Sequence, residues 1–103
     1  MNKEVITYDK VITYDKVIET IRKSNDIQFI YKNSLYNITL FSRKWYLAVT
    51  GEENFTKELA DGKDIDELIN KLDEILIRDK KLKEIINNHL YSEGTLILFD
   101  KYK

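Results

Sequence analysis

Residues 27–50 read IQFIYKNSLYNITLFSRKWYLAVT, and apolar and polar side chains alternate along most of the stretch. In a strand successive side chains point to opposite faces, so residues two apart share a side. A two-residue turn at Asn33-Ser34 would pair Tyr31 with Tyr36, Phe29 with Ile38 and Ile27 with Leu40. A second turn at Ser42-Arg43 would pair Leu40 with Trp45, Ile38 with Leu47 and Tyr36 with Val49. Both turns bring the same nine side chains to one face: Ile27, Phe29, Tyr31, Tyr36, Ile38, Leu40, Trp45, Leu47 and Val49. A one-residue slip would invert a whole strand, so agreement across two turns argues for a three-stranded antiparallel meander. The opposite face carries Gln28, Lys32, Asn37, Thr39, Lys44 and Thr50, but also Ile30, Leu35, Phe41 and Tyr46. Four apolar side chains on an outer sheet face make a candidate contact surface.

Upstream stands VITYDKVITYDKVI, in which Val5–Lys10 is copied as Val11–Lys16. Six residues turn an α-helix by a net 240° or so, so the repeat cannot build one helical stripe. In a strand every copy would face the same way. The second copy also feeds a stripe, Val11, Tyr14, Ile18 and Ile21, in the 3-4-3 spacing of an amphipathic helix. Thr13 is its expected N-cap and Asp15 suits the positive helix start. The expected helix runs from about Tyr14 to Lys23 and stops at Ser24-Asn25-Asp26. The first copy, within residues 1–12, reads as a redundant extension: a strand, a helical addition or a tail.

Downstream, Glu52 to Glu74 holds nine acids (Glu52, Glu53, Glu58, Asp61, Asp64, Asp66, Glu67, Asp73 and Glu74) against Lys57, Lys63 and Lys71. That is a local charge of −6 in a chain of net −1, leaving +5 for the rest. Within it, GEENFTKELADGK predicts a single helical turn or a loop anchored by Phe55 and Leu59. Asp64 and Glu67 then make a capping box. A stripe follows through Ile65, Leu68, Ile69, Leu72, Ile75 and Leu76, resuming at Leu82, Ile85, Ile86 and His89. One helix from Asp64 to His89 would span about 39 Å, long for a domain of this size. A break at Arg78–Lys81 is expected, where Asp79 interrupts the stripe. Thr95–Asp100 (TLILFD) predicts a closing strand.

The expected fold is therefore one α+β domain over residues 1–103. It has an N-terminal helix, the meander, one long or two broken helices, and a C-terminal strand in the sheet. The helices are expected on the face of Phe29, Ile38 and Trp45. A hydrophobic share of 43% and a charged share of 34% belong to a folded, soluble chain. No apolar run approaches the roughly 18 residues of a membrane span. Cysteine is absent, which excludes disulfides and thiolate chemistry and makes a cytoplasmic setting the expectation.

Chemistry is sparse. His89 is the one histidine. It reads either as a general base with Glu93 or Asp79 beside it, or as a half-buried helix-terminal ring near the last carbonyls. No nucleophile is spaced around it. The DGKDIDE stretch lacks the ligand order of a calcium loop, and helix capping accounts for Asp64 and Glu67. The three glycines, Gly51, Gly62 and Gly94, form no phosphate-cradling loop. No catalytic, metal or cofactor residue is predicted.

The stretch DIQFIYKNSLYNITL, followed after WYLAV by DGKDIDELINKL, resembles small uncharacterised α+β proteins of low-GC Gram-positive bacteria and their prophages and mobile elements. Ile27, Phe29, Tyr31, Tyr36, Ile38, Gly62 and Lys63 carry the likeness, which spans the middle half of the chain. Asn33-Ser34 replaces a more usual glycine turn. The resemblance implies an accessory-gene context rather than an activity. With it, the charge polarity leads to a first expectation: a non-catalytic protein-binding module, an inhibitor of a host protein of anti-defence or anti-CRISPR type. Its contact would be the acidic stretch, whose carboxylates imitate phosphates, or the face of Ile30, Leu35, Phe41 and Tyr46. A homodimer is also compatible. The alternatives are a single-stranded nucleic-acid binder using Tyr46, Phe41, Arg43 and Lys44, or an immunity or antitoxin protein. Arg78, Lys80, Lys81 and Lys83 form a second basic cluster, read as a solvated helix face.

Overall fold

A computed structural model describes residues 4–6 and 12–100 of the chain. In chain order the elements are β1 (Glu4–Ile6), α1 (Tyr14–Arg22), β2 (Ile27–Tyr31), β3 (Ser34–Phe41), β4 (Lys44–Gly51), β5 (Phe55–Asp61), α2 (Ile65–Glu74), β6 (Leu76–Ile77), β7 (Lys80–Lys81), α3 (Leu82–Asn87) and β8 (Ile97–Asp100). Five strands form an antiparallel sheet in the order β8-β2-β3-β4-β5, and β1 extends it at the β8 edge. A separate ribbon pairs β6 with β7.

The expected helix is present as α1. Thr13 caps it, accepting a hydrogen bond from Lys16 N at 3.3 Å, with Asp15 in the first turn and Arg22 in the last. Its buried side is Tyr14, Val17, Thr20 and Ile21, with Ile18 half-buried. Val17 thus takes the inner position that the sequence pattern gave to Ile18, while Val11 lies outside the described residues. Of the first repeat copy, Glu4–Ile6 is a strand against Leu98–Asp100, and residues 7–10 lie outside the described residues. The core includes Ile12, so the stretch read as an extension contributes at least this residue to it.

The meander holds, with one correction. The second turn has the expected register: Leu40 faces Trp45, Ile38 faces Leu47 and Tyr36 faces Val49. Ser42 and Arg43 both have positive φ, 51° and 68°, the backbone that a two-residue hairpin turn needs. The first turn is Lys32-Asn33, φ 48° and 65°, not Asn33-Ser34. Tyr31 therefore faces Ser34, Phe29 faces Tyr36 and Ile27 faces Ile38. A slip of two residues leaves every side chain on its face, because the period is two. Ser34 explains the choice: its buried hydroxyl accepts from Glu53 N at 3.0 Å, which a place in the turn would forfeit. Eight of the nine side chains assigned to the inner face are buried, and Leu40 is half-buried.

Residues 55–61, expected in a loop or helical turn, are a fourth meander strand. β5 pairs with β4, and the register shifts after Trp45: Trp45 faces Ala60, but Tyr46 faces Glu58. Leu59 is the extra residue of a β-bulge. Leu59 and Ala60 are both buried, so two consecutive side chains point inward where simple alternation allows one.

The long helical run is broken, as expected, but earlier. α2 ends at Glu74 and Ile75 is already extended. The β6–β7 ribbon occupies the break, with Arg78 at φ 62° in its turn. The greatest extent of the molecule is 30 Å, too short for a 39 Å or so helix. α2 is capped by Asp64, which accepts from Glu67 N at 3.0 Å. The buried residues of the helices, of the inner sheet face and of β8 form one cluster, from Ile12 to Leu98. Among the described residues no helix is long and apolar enough to cross a membrane.

Candidate interaction surfaces

The acids of residues 52–74 do not form one free anionic surface. Glu52 and Glu53 both bind Arg78, at 3.0 and 3.2 Å. Glu58 pairs with Lys44, Asp66 with Arg22 and Glu67 with Lys71. Asp61 accepts from Lys63 N in its own turn, and Asp64 caps α2. Asp73 accepts from the Tyr14 hydroxyl at 2.7 Å. Burial, then the bond and charge of Asp73, push the Tyr14 phenol well above its ordinary value. Glu74 lines a hollow of 340 Å³ with Lys57, Leu59, Lys71 and Ile75. Exposed pairs of this kind are individually weak, but they place a cation beside most of these carboxylates.

The outer sheet face is a different kind of surface. Ile30 and Leu35 are direct cross-strand partners. Tyr46 faces Thr39, and Phe41 faces Lys44 one step along the same strand pair. Phe41 is 68% exposed, while Ile30, Leu35 and Tyr46 are half-buried. The four residues are thus two neighbouring pairs rather than one cluster. Asn37 and Thr39 lie between them, and Asn37 Oδ1 is buried without a hydrogen-bond partner among the described residues. Two further apolar residues share this face. Ile97 faces Gln28, so by alternation Phe99 lies on the same side, and both are half-buried. The alternation of TLILFD extends the outer face by these two residues. That pattern, Leu96 and Leu98 in and Ile97 and Phe99 out, was the available signal.

His89 follows α3 with φ 53°, and its N–H donates to Ile86 O at 3.2 Å. Its ring is exposed rather than half-buried, standing edge-on to Tyr91 at 6.0 Å between centroids. Asp79 is not beside it. Asp79 accepts from the Tyr31 hydroxyl and from Lys32 Nζ, at 3.1 and 3.2 Å. Lys32 holds the Asp79 carboxyl below its ordinary range. Glu93 shares a 230 Å³ hollow with His89, Tyr91 and Gly94.

One heavily bonded side chain carries no signal in the sequence. Arg78, taken for part of a solvated basic face, donates to the Tyr36 hydroxyl, to Lys32 O and to Glu52, at 3.2, 3.0 and 3.0 Å. It binds Glu53 as well. These contacts, led by the Glu52 bond, raise its already high pKa further. The guanidinium fork suits this, since it offers five donors in fixed directions. Among the described residues no group of three or more His, Asp or Glu could hold a metal ion.

No family model, no curated protein and no solved structure matches this chain.

Proposed function

We propose that this protein is a non-catalytic protein-binding module that meets its partner through the outer face of the sheet. The observation that carries the reading is the number of half-exposed apolar side chains on this face, Ile30 beside Leu35, Tyr46, Ile97 and Phe99, together with the exposed ring of Phe41. The reading takes the three helices to lie over the buried face, leaving this one open. Patches of this kind mark interaction sites more often than chance scatter does. The acidic stretch is the lesser candidate, because most of its carboxylates already have a cation or an N–H beside them. The partner class that suits the module is a host protein, with the chain as its inhibitor, and the resemblance to prophage and mobile-element proteins supports an anti-defence role in the cytoplasm.

Affinity capture from the native host tests this with three proteins side by side. The unmodified chain should retain a partner. A variant carrying Ile30→Lys and Leu35→Lys should lose it, provided its circular dichroism is unchanged. A variant carrying Asp66→Lys and Glu74→Lys should keep it. Loss in the acidic variant alone would transfer the contact to residues 52–74. A mobility shift with short RNA and DNA at two salt concentrations addresses the other class. Salt-sensitive retardation that is lost on Phe41→Ala and Tyr46→Ala would replace the protein partner with single-stranded nucleic acid.

A further inference from the structure

We propose that the corner between the β3–β4 turn and the β5–α2 loop binds a phosphate monoester carried on a small hydroxyl-bearing molecule, of the sugar phosphate or mononucleotide class. The corner is a cavity of 440 Å³ lined by Leu40, Arg43, Asp61, Gly62 and Lys63. That volume falls in the range of small-ligand pockets. Its two cations are unengaged. Arg43 and Lys63 make no ion pair among the described residues, which is true also of Lys57, Lys80, Lys81 and Lys83, but Arg43 and Lys63 share the lining of one cavity. Asp61 on the same wall and Asp64 beside Lys63 balance the two charges, so what the cavity offers an anion is two basic side chains free of ion pairs rather than a net positive field.

The backbone of the corner is built rather than loose. Gly62 N donates to Arg43 O at 2.8 Å. A Cβ at position 62 would sit 2.8 Å from that oxygen and 3.1 Å from Leu40 Cδ1, so only glycine lets the two loops close. Asp61 Oδ1 takes the N–H of Lys63 at 2.9 Å and fixes the base of that side chain. Arg43 stands at φ 68° in its turn. An arginine fork and a lysine point charge are the pair that suits a tetrahedral dianion. Leu40 supplies an apolar wall. Asp61 selects against a bare or repeated phosphate and for a ligand that also donates hydroxyl hydrogens, because the second carboxylate oxygen has no donor among the described residues. A monoester on a sugar meets all three demands.

The test is an amide NMR titration of the full chain with ribose 5-phosphate, with ribose as the phosphate-free control. Ribose 5-phosphate should give saturable shifts centred on Arg43, Gly62 and Lys63, and ribose should not. Lys63→Gln should weaken binding by about tenfold, the usual worth of one charge-assisted hydrogen bond. Arg43→Gly should do the same, and glycine suits the positive φ, so the turn survives the change. Equal shifts with ribose, no saturation with ribose 5-phosphate, or wild-type affinity in Lys63→Gln would overturn the site. A final arm compares short oligonucleotides with and without a 5′-phosphate. Preference for the phosphorylated end would support the monoester assignment, and equal binding would sink it.

Discussion

Tyr14 shows at the scale of one residue how this protein couples charge to its core. Its ring is buried at the start of α1, and its hydroxyl reaches Asp73, which lies 59 positions away near the end of α2. The phenol is neutral when protonated, and its folded pKa is raised above the ordinary 10.0. Its proton is therefore held more tightly in the folded state than in the unfolded one. The stability this contributes is fully present below pH 10 or so and is lost as pH rises above that value. Tyr14→Phe should lower stability at neutral pH by about 1 kcal/mol, the usual net worth of one hydrogen bond. It should also flatten the alkaline decline in stability, measured by urea denaturation at a series of pH values from neutral to strongly alkaline. An unchanged slope would mean that other groups govern the decline. Nothing in the sequence pairs Tyr14 with Asp73. The stripe placed the ring inward, but the partner depends on how two helices lie together.

Among the elements, the turns separate what local chemistry dictates from what it merely permits. Ser42 and Arg43 both occupy left-handed backbone that favours glycine and asparagine. Replacing them with Asn-Gly should therefore stabilise the protein by about 1 kcal/mol, read as a higher midpoint in urea. A fall would show that the Arg43 side chain is needed for folding. The Ser42-Arg43 turn and its register were legible because hydrophobic residues on both sides demanded them. The first turn was misplaced by one residue and its pairing by two, since a two-residue slip costs the alternation nothing and is decided by the buried hydroxyl of Ser34. β5 was not legible at all. Its sequence, FTKELAD, has an inward pair, Leu59 and Ala60, that only a bulge allows. Strand formation there reflects the open edge of β4 rather than any local preference. The same holds for the ribbon at Leu76–Lys81, where a helical stripe gives way to extended backbone in a molecule with no room for the longer helix.

For the whole molecule, Arg78 is the tie. It joins the β6–β7 turn to the β2–β3 turn through Lys32 O and Tyr36, and to the β4–β5 turn through Glu52 and Glu53. Beside it, Asp79 receives Tyr31 and Lys32. Three reversals distant in sequence are thus gathered at one end of the sheet. Arg78→Ala should lower the thermal midpoint by a few degrees, and Arg78→Lys should recover little, because an ammonium cannot reproduce the planar fork. Hydrogen exchange should accelerate together at Lys32–Ser34, Glu52–Asn54 and Arg78–Asp79. Acceleration confined to Arg78–Asp79 would show that the tie is local. Local chemistry along the chain is enough for the inner face of the meander, the capped starts of α1 and α2, and the need for a break before α3, since periodicity and capping are properties of neighbouring residues. The fourth strand, the bulge, the place of the break and the partners of the acidic residues follow from packing, because edge pairing, available volume and charge pairing arise between segments that the chain order keeps apart.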